Sequence, residues 1–72
     1  MAVKKIIELV GNSPESWEDA VGNAVKEAAK TVRNITSVHV GRCTAKVQGN
    51  KIVEYRALVR IAFTVQRGSA SD

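Results

Sequence analysis

The chain has 72 residues, a formal net charge of +4, and aromatic side chains at only 4% of its positions. This length fits one small domain whose core supplies little excess stability, so support is expected from disulfides, a metal or oligomerisation. One cysteine excludes an intrachain disulfide, and one cysteine with one histidine excludes a His/Cys zinc site within a single chain. Oligomerisation is therefore expected. With no long apolar run and no signal peptide, a cytoplasmic protein with no membrane partner is predicted.

The first element is predicted to be a strand over residues 3–10, which are rich in β-branched side chains and end at the turn signal Gly11-Asn12. One face carries Val3, Ile7 and Leu9, and the other carries Ile6 and Val10. Since both faces are partly apolar, a partner chain is expected to cover the second one.

A helix is predicted to follow, with Ser13 as its capping residue, Pro14 in its first turn and Asn34 as its end cap. Apolar residues then recur at spacings of three and four, which is typical of a helix with one buried face. We interpret the tryptophan in this stripe as a packing anchor rather than a ligand-stacking ring. The stripe consists of Trp17, Ala20, Val21, Ala24, Val25, Ala28 and Val32.

Residues 35–48 predict a second strand in which the apolar positions change parity. Val38 and Val40 are even, whereas Cys43, Ala45 and Val47 are odd. One extra residue at Gly41-Arg42 would cause this change, so a β-bulge is predicted there.

Every odd position in residues 53–65 is apolar, which predicts a long third strand with one buried face. A three-residue loop, Gly49-Asn50-Lys51, is predicted to join the second and third strands. The expected apolar pairs are Val47–Val53, Ala45–Tyr55, Cys43–Ala57, Val40–Ile61 and Val38–Phe63.

These elements predict an α+β fold of the type β-α-β-β, with a three-stranded antiparallel sheet in the order 1-3-2 partly wrapping one helix. We expect a single domain over residues 1–66 and a flexible tail over residues 67–72. The outer sheet face is predicted to carry Ser37, His39, Thr44 and Lys46 from the second strand, Arg42 near the bulge, and Glu54, Arg56, Leu58, Arg60, Ala62 and Thr64 from the third.

The sequence resembles the dodecin family over residues 3–66. The resemblance implies a hollow homododecamer that binds flavins in pairs, stacked near two-fold axes on the outer sheet faces. The matching segments are Ile7-Glu8-Leu9-Val10-Gly11, the following residues 12–17, the helix end at residues 29–35, and Val59-Arg60-Ile61-Ala62-Phe63.

Four positions depart from the flavin-binding members of that family. Ser37 stands where they carry a tryptophan that sandwiches the isoalloxazine ring, and Arg56 stands where a glutamine bonds the flavin. Thr44-Ala45 replaces an Arg-Gly pair. Because stacking on one ring contributes about 1 kcal/mol or more, flavin binding is expected to be weakened or altered.

The first functional hypothesis is an oligomeric shell that binds or stores a small ligand such as riboflavin or FMN. The predicted ligand contacts are Ser37, His39, Thr44, Arg56 and Leu58, and Arg56, Arg60 and His39 would favour an anionic ligand. An alternative interpretation assigns Glu54, Arg56 and Arg60 to salt bridges.

The second hypothesis is a flavin-free structural or cation-binding shell, in which Glu8, Asp19 and Glu54 from several chains could supply oxygen ligands. Nucleic-acid binding is not expected, because Tyr55 and Phe63 fall on the buried phase and leave no outward aromatic for base stacking. No enzymatic activity is predicted: His39 lacks an acidic or nucleophilic partner in the hairpin, and Cys43 falls on the core phase.

Overall fold

A computed structural model describes the chain over residues 2–66 and its side chains over residues 3–65; the predicted tail, residues 67–72, lies outside this range. The elements are β1 (Ala2–Ser13), α1 (Trp17–Ala28), β2 (Ile35–Gln48) and β3 (Lys51–Gln66). They form one sheet in the order β1-β3-β2 with both neighbouring pairs antiparallel. The predicted α+β fold and strand order are therefore confirmed. No helix within residues 2–66 is long and apolar enough to cross a membrane.

The β1–β3 ladder has one regular register from Ala2 opposite Gln66 to Ser13 opposite Tyr55. Since opposed residues of an antiparallel pair share a face, the odd residues of both strands lie on the inner face towards α1. The even residues lie on the outer face, where Ile6 and Val10 of β1 are exposed. The predicted assignment of the two β1 faces is confirmed.

The predicted bulge in β2 is confirmed, because the register shifts between Val40 and Cys43. Two residues of β2, Gly41 and Arg42, oppose the single residue Leu58 there. The predicted pairs beyond the bulge are wrong. Val40 opposes Val59 rather than Ile61, and Val38 opposes Ile61 rather than Phe63, because an extra β2 residue shifts the pairing in the opposite direction. The pairs Ala45–Tyr55 and Cys43–Ala57 are confirmed.

The hairpin loop differs from the prediction. It is the two-residue turn Gly49-Asn50, whose φ values of 59° and 63° are both positive, as a tight hairpin turn requires. A second irregularity between Lys46 and Val47 restores the register, so Val47 opposes Ile52 and not Val53.

The helix begins three residues later than Ser13 predicts. The N-cap is Ser16, whose hydroxyl accepts a hydrogen bond from the Asp19 backbone amide at 3.0 Å. Ser13, only 2% exposed, orders the preceding turn: its hydroxyl accepts from the Glu15 amide at 2.8 Å and donates to Asp19 Oδ2 at 2.7 Å. Pro14 therefore lies in this turn and not in the first turn of the helix.

The helix ends earlier than predicted, at Ala28, with Ala29 as its C-cap. One further turn follows, in which the Val32 amide bonds the Ala28 carbonyl at 2.9 Å, so Val32 lies outside α1. Asn34 is not the helix cap. With φ of 63° it reverses the chain into β2, and its carbonyl accepts from the Thr64 amide at 3.0 Å.

The core is small and lies between α1 and the centre of β3. Its residues are Ala20, Ala24 and Ala28 from the helix and Ala57, Val59 and Ile61 from the strand. Tyr55 and Phe63, at either end of this segment on the same face, are only half-buried.

The inner face of β2 is not covered by the helix, so the predicted core position of Cys43 is wrong. Val38 and Val40 face the helix side as predicted, yet Val40 is 45% exposed. The cause is the lateral position of the helix, because Val59 and Ala57, which oppose Val40 and Cys43 on β3, are fully buried. The helix lies over β1 and β3.

Candidate functional site on the outer sheet face

The outer face of the sheet is built from rows of three residues, one from each strand in the order β1, β3, β2. Every predicted ligand contact except Leu58 occupies such a row, and Leu58 faces the bulge. The rows are Asn12–Arg56–Thr44, Glu8–Arg60–His39 and Ile6–Ala62–Ser37.

A shallow groove of about 330 Å³ lies on this face beside the bulge. It is lined by Thr44, Arg56 and Leu58, which are three of the five predicted contacts, together with Val10 and Arg42. The structure thus brings these three side chains together on one surface. Their part in ligand binding remains a prediction.

Ser37 and His39 share the outer face but lie outside the groove. Ser37 opposes Ala62 and His39 opposes Arg60, which are four and two residues along β3 from Leu58. At about 3.4 Å per residue, Ser37 lies about 14 Å from the groove along the strand. Within one chain, the predicted contacts therefore form two separate groups.

The arginines of β3 are held in ion pairs. Arg56 Nη2 lies 3.0 Å from Glu54 Oε1, and its Nε donates to the same oxygen at 3.3 Å. Arg60 Nε lies 3.2 Å from Glu8 Oε2 across the β1–β3 ladder. The interpretation of these residues as salt-bridge partners is confirmed. Both pairs are partly exposed, so each contributes at most about 1 kcal/mol.

Val10 and Arg42 line the groove but were not among the predicted ligand contacts. Arg42 is the charged residue of the two. Its side chain is exposed, and it forms no ion pair or side-chain hydrogen bond with the rest of residues 3–65. The signal for its position was the parity change itself: the extra residue that keeps Cys43 on the inner face also puts Arg42 on the outer face beside Thr44.

Trp17 lies on the inner side of the sheet. Its ring meets Tyr55 edge-on, with centroids 4.9 Å apart at 81°, and its Nε1 donates to the Thr44 carbonyl at 2.8 Å. These contacts tie the start of α1 to both hairpin strands, which confirms its interpretation as a packing anchor.

The three carboxylates considered for cation binding all have partners within the chain. Glu8 and Glu54 are in the ion pairs above, and Asp19 accepts from Ser13. Over the described part of the chain, no cluster of three His, Cys, Asp or Glu residues is placed to hold a metal ion. A cation site formed by these carboxylates would therefore need more than one subunit.

The element order β-α-β-β, with one helix packed on a three-stranded antiparallel sheet, places the chain among small α+β proteins, and comparison with known proteins identifies the family. The dodecin family model matches residues 3–66. The chain belongs to the dodecin family.

Individual relatives agree with this assignment. The calcium dodecin of Mycobacterium tuberculosis is 32% identical over 66 residues, covering 92% of this chain and 93% of the relative. A crystal structure of a calcium dodecin from the same organism, with a calcium-binding site, has a TM-score of 0.77 at 28% identity, with 97% of each chain covered. A variant of the Thermus thermophilus dodecin has a TM-score of 0.89 at 28% identity, covering 93% of this chain and all of the other.

The family agrees with the predicted dodecin-like, small-ligand function, and the calcium-named relative agrees with the cation-binding alternative.

Proposed function

We propose that this protein assembles into a dodecameric shell that binds a small planar ligand, with a flavin as the first candidate, on its outer sheet face. The single observation that carries the ligand proposal is the groove, which joins an apolar floor to two arginines. A non-enzymatic role in the cytoplasm is part of the same proposal.

The exposed apolar surface supports assembly. Among residues 3–65 of the single chain, only Val59 and Ile61 are large apolar side chains that are fully buried, while both sheet faces expose large ones. Surfaces of this kind usually mark an interface with another protein chain. Outside the groove, the exposed large apolar residues among residues 3–65 are Val3, Ile6, Trp17, Val38, Val40, Val47, Ile52 and Val53.

Light scattering coupled to size-exclusion chromatography tests the assembly. The expected mass is close to twelve times the 7.8 kDa chain mass. A monomer or dimer at micromolar concentration would refute this part of the proposal.

The composition of the groove sets the expected ligand chemistry. Val10 and Leu58 offer apolar contact to one side of a planar ring, and the Arg56 guanidinium can stack on a ring or bind an anion. No aromatic side chain lines the groove, and Ser37 offers none elsewhere on the outer face. Binding of neutral riboflavin is therefore expected to be weak.

Fluorescence-quenching titration with riboflavin and FMN tests the ligand proposal. Leu58→Ser removes apolar contact from the groove and should weaken binding of both flavins by about threefold or more. The matched control is Ala62→Ser, which adds the same hydroxyl to the same face outside the groove. Absence of quenching by either flavin up to millimolar concentration would refute flavin binding.

The calcium-named relative favours a second candidate, a cation-binding shell. Because Glu8, Asp19 and Glu54 are separate within one chain, calcium should bind the assembly and not a dissociated subunit. Isothermal titration with Ca²⁺ on the parent and on Glu54→Gln tests this. Unchanged calcium binding by the variant would exclude Glu54 as a ligand.

A further inference from the structure

We infer that Arg42 is the anion-recognising residue of the groove, so the ligand class is a planar ring compound that carries a phosphate or carboxylate. This inference rests on the proposed ligand site and specifies what that site prefers.

The bulge positions Arg42. In a regular strand, side chains alternate between faces, and the residue two after Val40 would share its inner face. Because Gly41 and Arg42 together oppose Leu58, Arg42 instead lies on the outer face with Thr44. Gly41 permits this arrangement: a Cβ there would lie 3.3 Å from the Leu58 carbonyl oxygen, which is tighter than ordinary contact. Bulges commonly redirect a side chain in this way beside functional sites.

The charges distinguish the two groove arginines. Glu54 neutralises Arg56 through two contacts to one carboxylate oxygen. Arg42 has no acidic partner among residues 3–65, so its guanidinium is available to an incoming anion. A guanidinium can donate two parallel hydrogen bonds to a phosphate or carboxylate, which makes it a selective partner for those groups.

The apolar floor limits the class further. Val10 on β1 is 59% exposed, and it opposes Leu58 on β3, which in turn faces Arg42 at the bulge of β2. A free inorganic anion would leave this apolar surface in contact with water, whereas a ring attached to the anion would cover it. Charge complementarity and apolar contact therefore favour one amphiphilic molecule over a simple ion.

Paired titrations with FMN and riboflavin test the inference, because the two ligands share the same ring and differ by the phosphate. The parent protein should bind FMN about five- to tenfold more tightly, with the preference declining as salt is raised. Arg42→Gln should reduce the preference to about twofold or less, because FMN loses more affinity than riboflavin does. Inorganic phosphate should compete with FMN and leave riboflavin bound.

Lys4→Gln is the matched control. It removes one positive charge from the same outer face, about 20 Å along β1 from Val10, so it changes the overall charge equally without altering the groove. Its FMN preference should equal that of the parent. Circular dichroism and assembly mass should be unchanged in both variants, because both side chains are exposed.

The possible results distinguish failure of anion recognition by Arg42 from failure of the flavin site itself. If riboflavin and FMN bind equally to the parent, or if Arg42→Gln retains the preference, the ligand site stands and the inference is wrong. If Lys4→Gln loses the preference as well, the overall field and not Arg42 selects the anion, which also overturns the inference. If neither flavin binds, the flavin site itself fails, and the inference fails with it.

Discussion

Replacing Gly11 by alanine would test how closely α1 packs on the sheet. A Cβ at this position would overlap the Ala20 carbonyl oxygen and lie 3.0 Å from Ala24 Cβ. Both obstacles belong to the helix that forms the core, and a backbone carbonyl cannot rotate away as a side chain can. Overpacking of this kind costs about 1–3 kcal/mol, and the fixed obstacle places the cost near the upper end. Reduced freedom of the unfolded chain offsets about 0.4–1 kcal/mol.

The expected net loss from Gly11→Ala is therefore about 2 kcal/mol, against a total of about 4 to 11 kcal/mol for a chain of 72 residues. Urea unfolding at fixed protein concentration measures the loss as a lower midpoint. Gly22→Ala is the matched control, because a Cβ there meets nothing within 4 Å and the residue lies inside α1. Gly22→Ala should raise the free energy of unfolding by about 0.5–1 kcal/mol. Equal stability of the parent and Gly11→Ala would refute the close approach.

Three further predictions concern individual side chains. Trp17→Phe removes the hydrogen bond to the Thr44 carbonyl while keeping a ring against Tyr55, so it should cost about 1 kcal/mol in urea unfolding. Ser37→Trp should tighten riboflavin binding by about fivefold or more in quenching titrations, and no gain would mean that Ser37 does not face the bound ring. Cys43 should react with a thiol reagent at least tenfold more slowly in the assembled protein than after dissociation, because assembly should cover the inner face of β2; equal rates would contradict that coverage.

Alternation along the strands was enough to predict the faces of the sheet and the position of the bulge. Parity depends only on whether a residue number is odd or even, so it could not decide the direction of the register shift. Val40 opposite Val59 and Val40 opposite Ile61 have the same parity, and only the hydrogen-bonded ladder distinguishes them. Parity could not predict the hairpin loop for the same reason. A two-residue turn with an irregularity between Lys46 and Val47 gives the same pairs from Lys46 back to Cys43 as the predicted three-residue loop.

The burial of individual residues was harder to predict than the side of the sheet on which they lie. Cys43 and Val40 lie on the helix side as their phase required, yet both are exposed because α1 lies over β1 and β3 and does not cover β2. At the helix start, Ser13 and Ser16 are chemically equivalent capping candidates, and the choice depends on the turn that Ser13 itself organises.

The candidate site was predictable as a face but not as a set of contacts. The outward phase of Arg56 and Leu58 followed from the sequence, and their common groove with Val10 required the β1–β3 register. The pairing of Arg56 with Glu54, and the lack of an acidic partner for Arg42 among residues 3–65, depend on side-chain geometry that the sequence does not give.

Two single-residue deletions would test the role of the bulge directly. Deleting Gly41 leaves a regular strand in which Val40 and Cys43 stay on the inner face and Arg42 stays on the outer face. Deleting Thr44 also removes the extra residue, but it turns Arg42 to the inner face opposite Ala57 and turns Cys43 outwards. The inner face of β2 is exposed in the single chain, and assembly should cover it. Placing a guanidinium in that interface costs about 1–3 kcal/mol, so the Thr44 deletion should have the lower urea midpoint, and it alone should lose the preference for FMN. Equal midpoints and equal ligand preference in the two proteins would show that the extra residue at Gly41-Arg42 does not control where Arg42 lies.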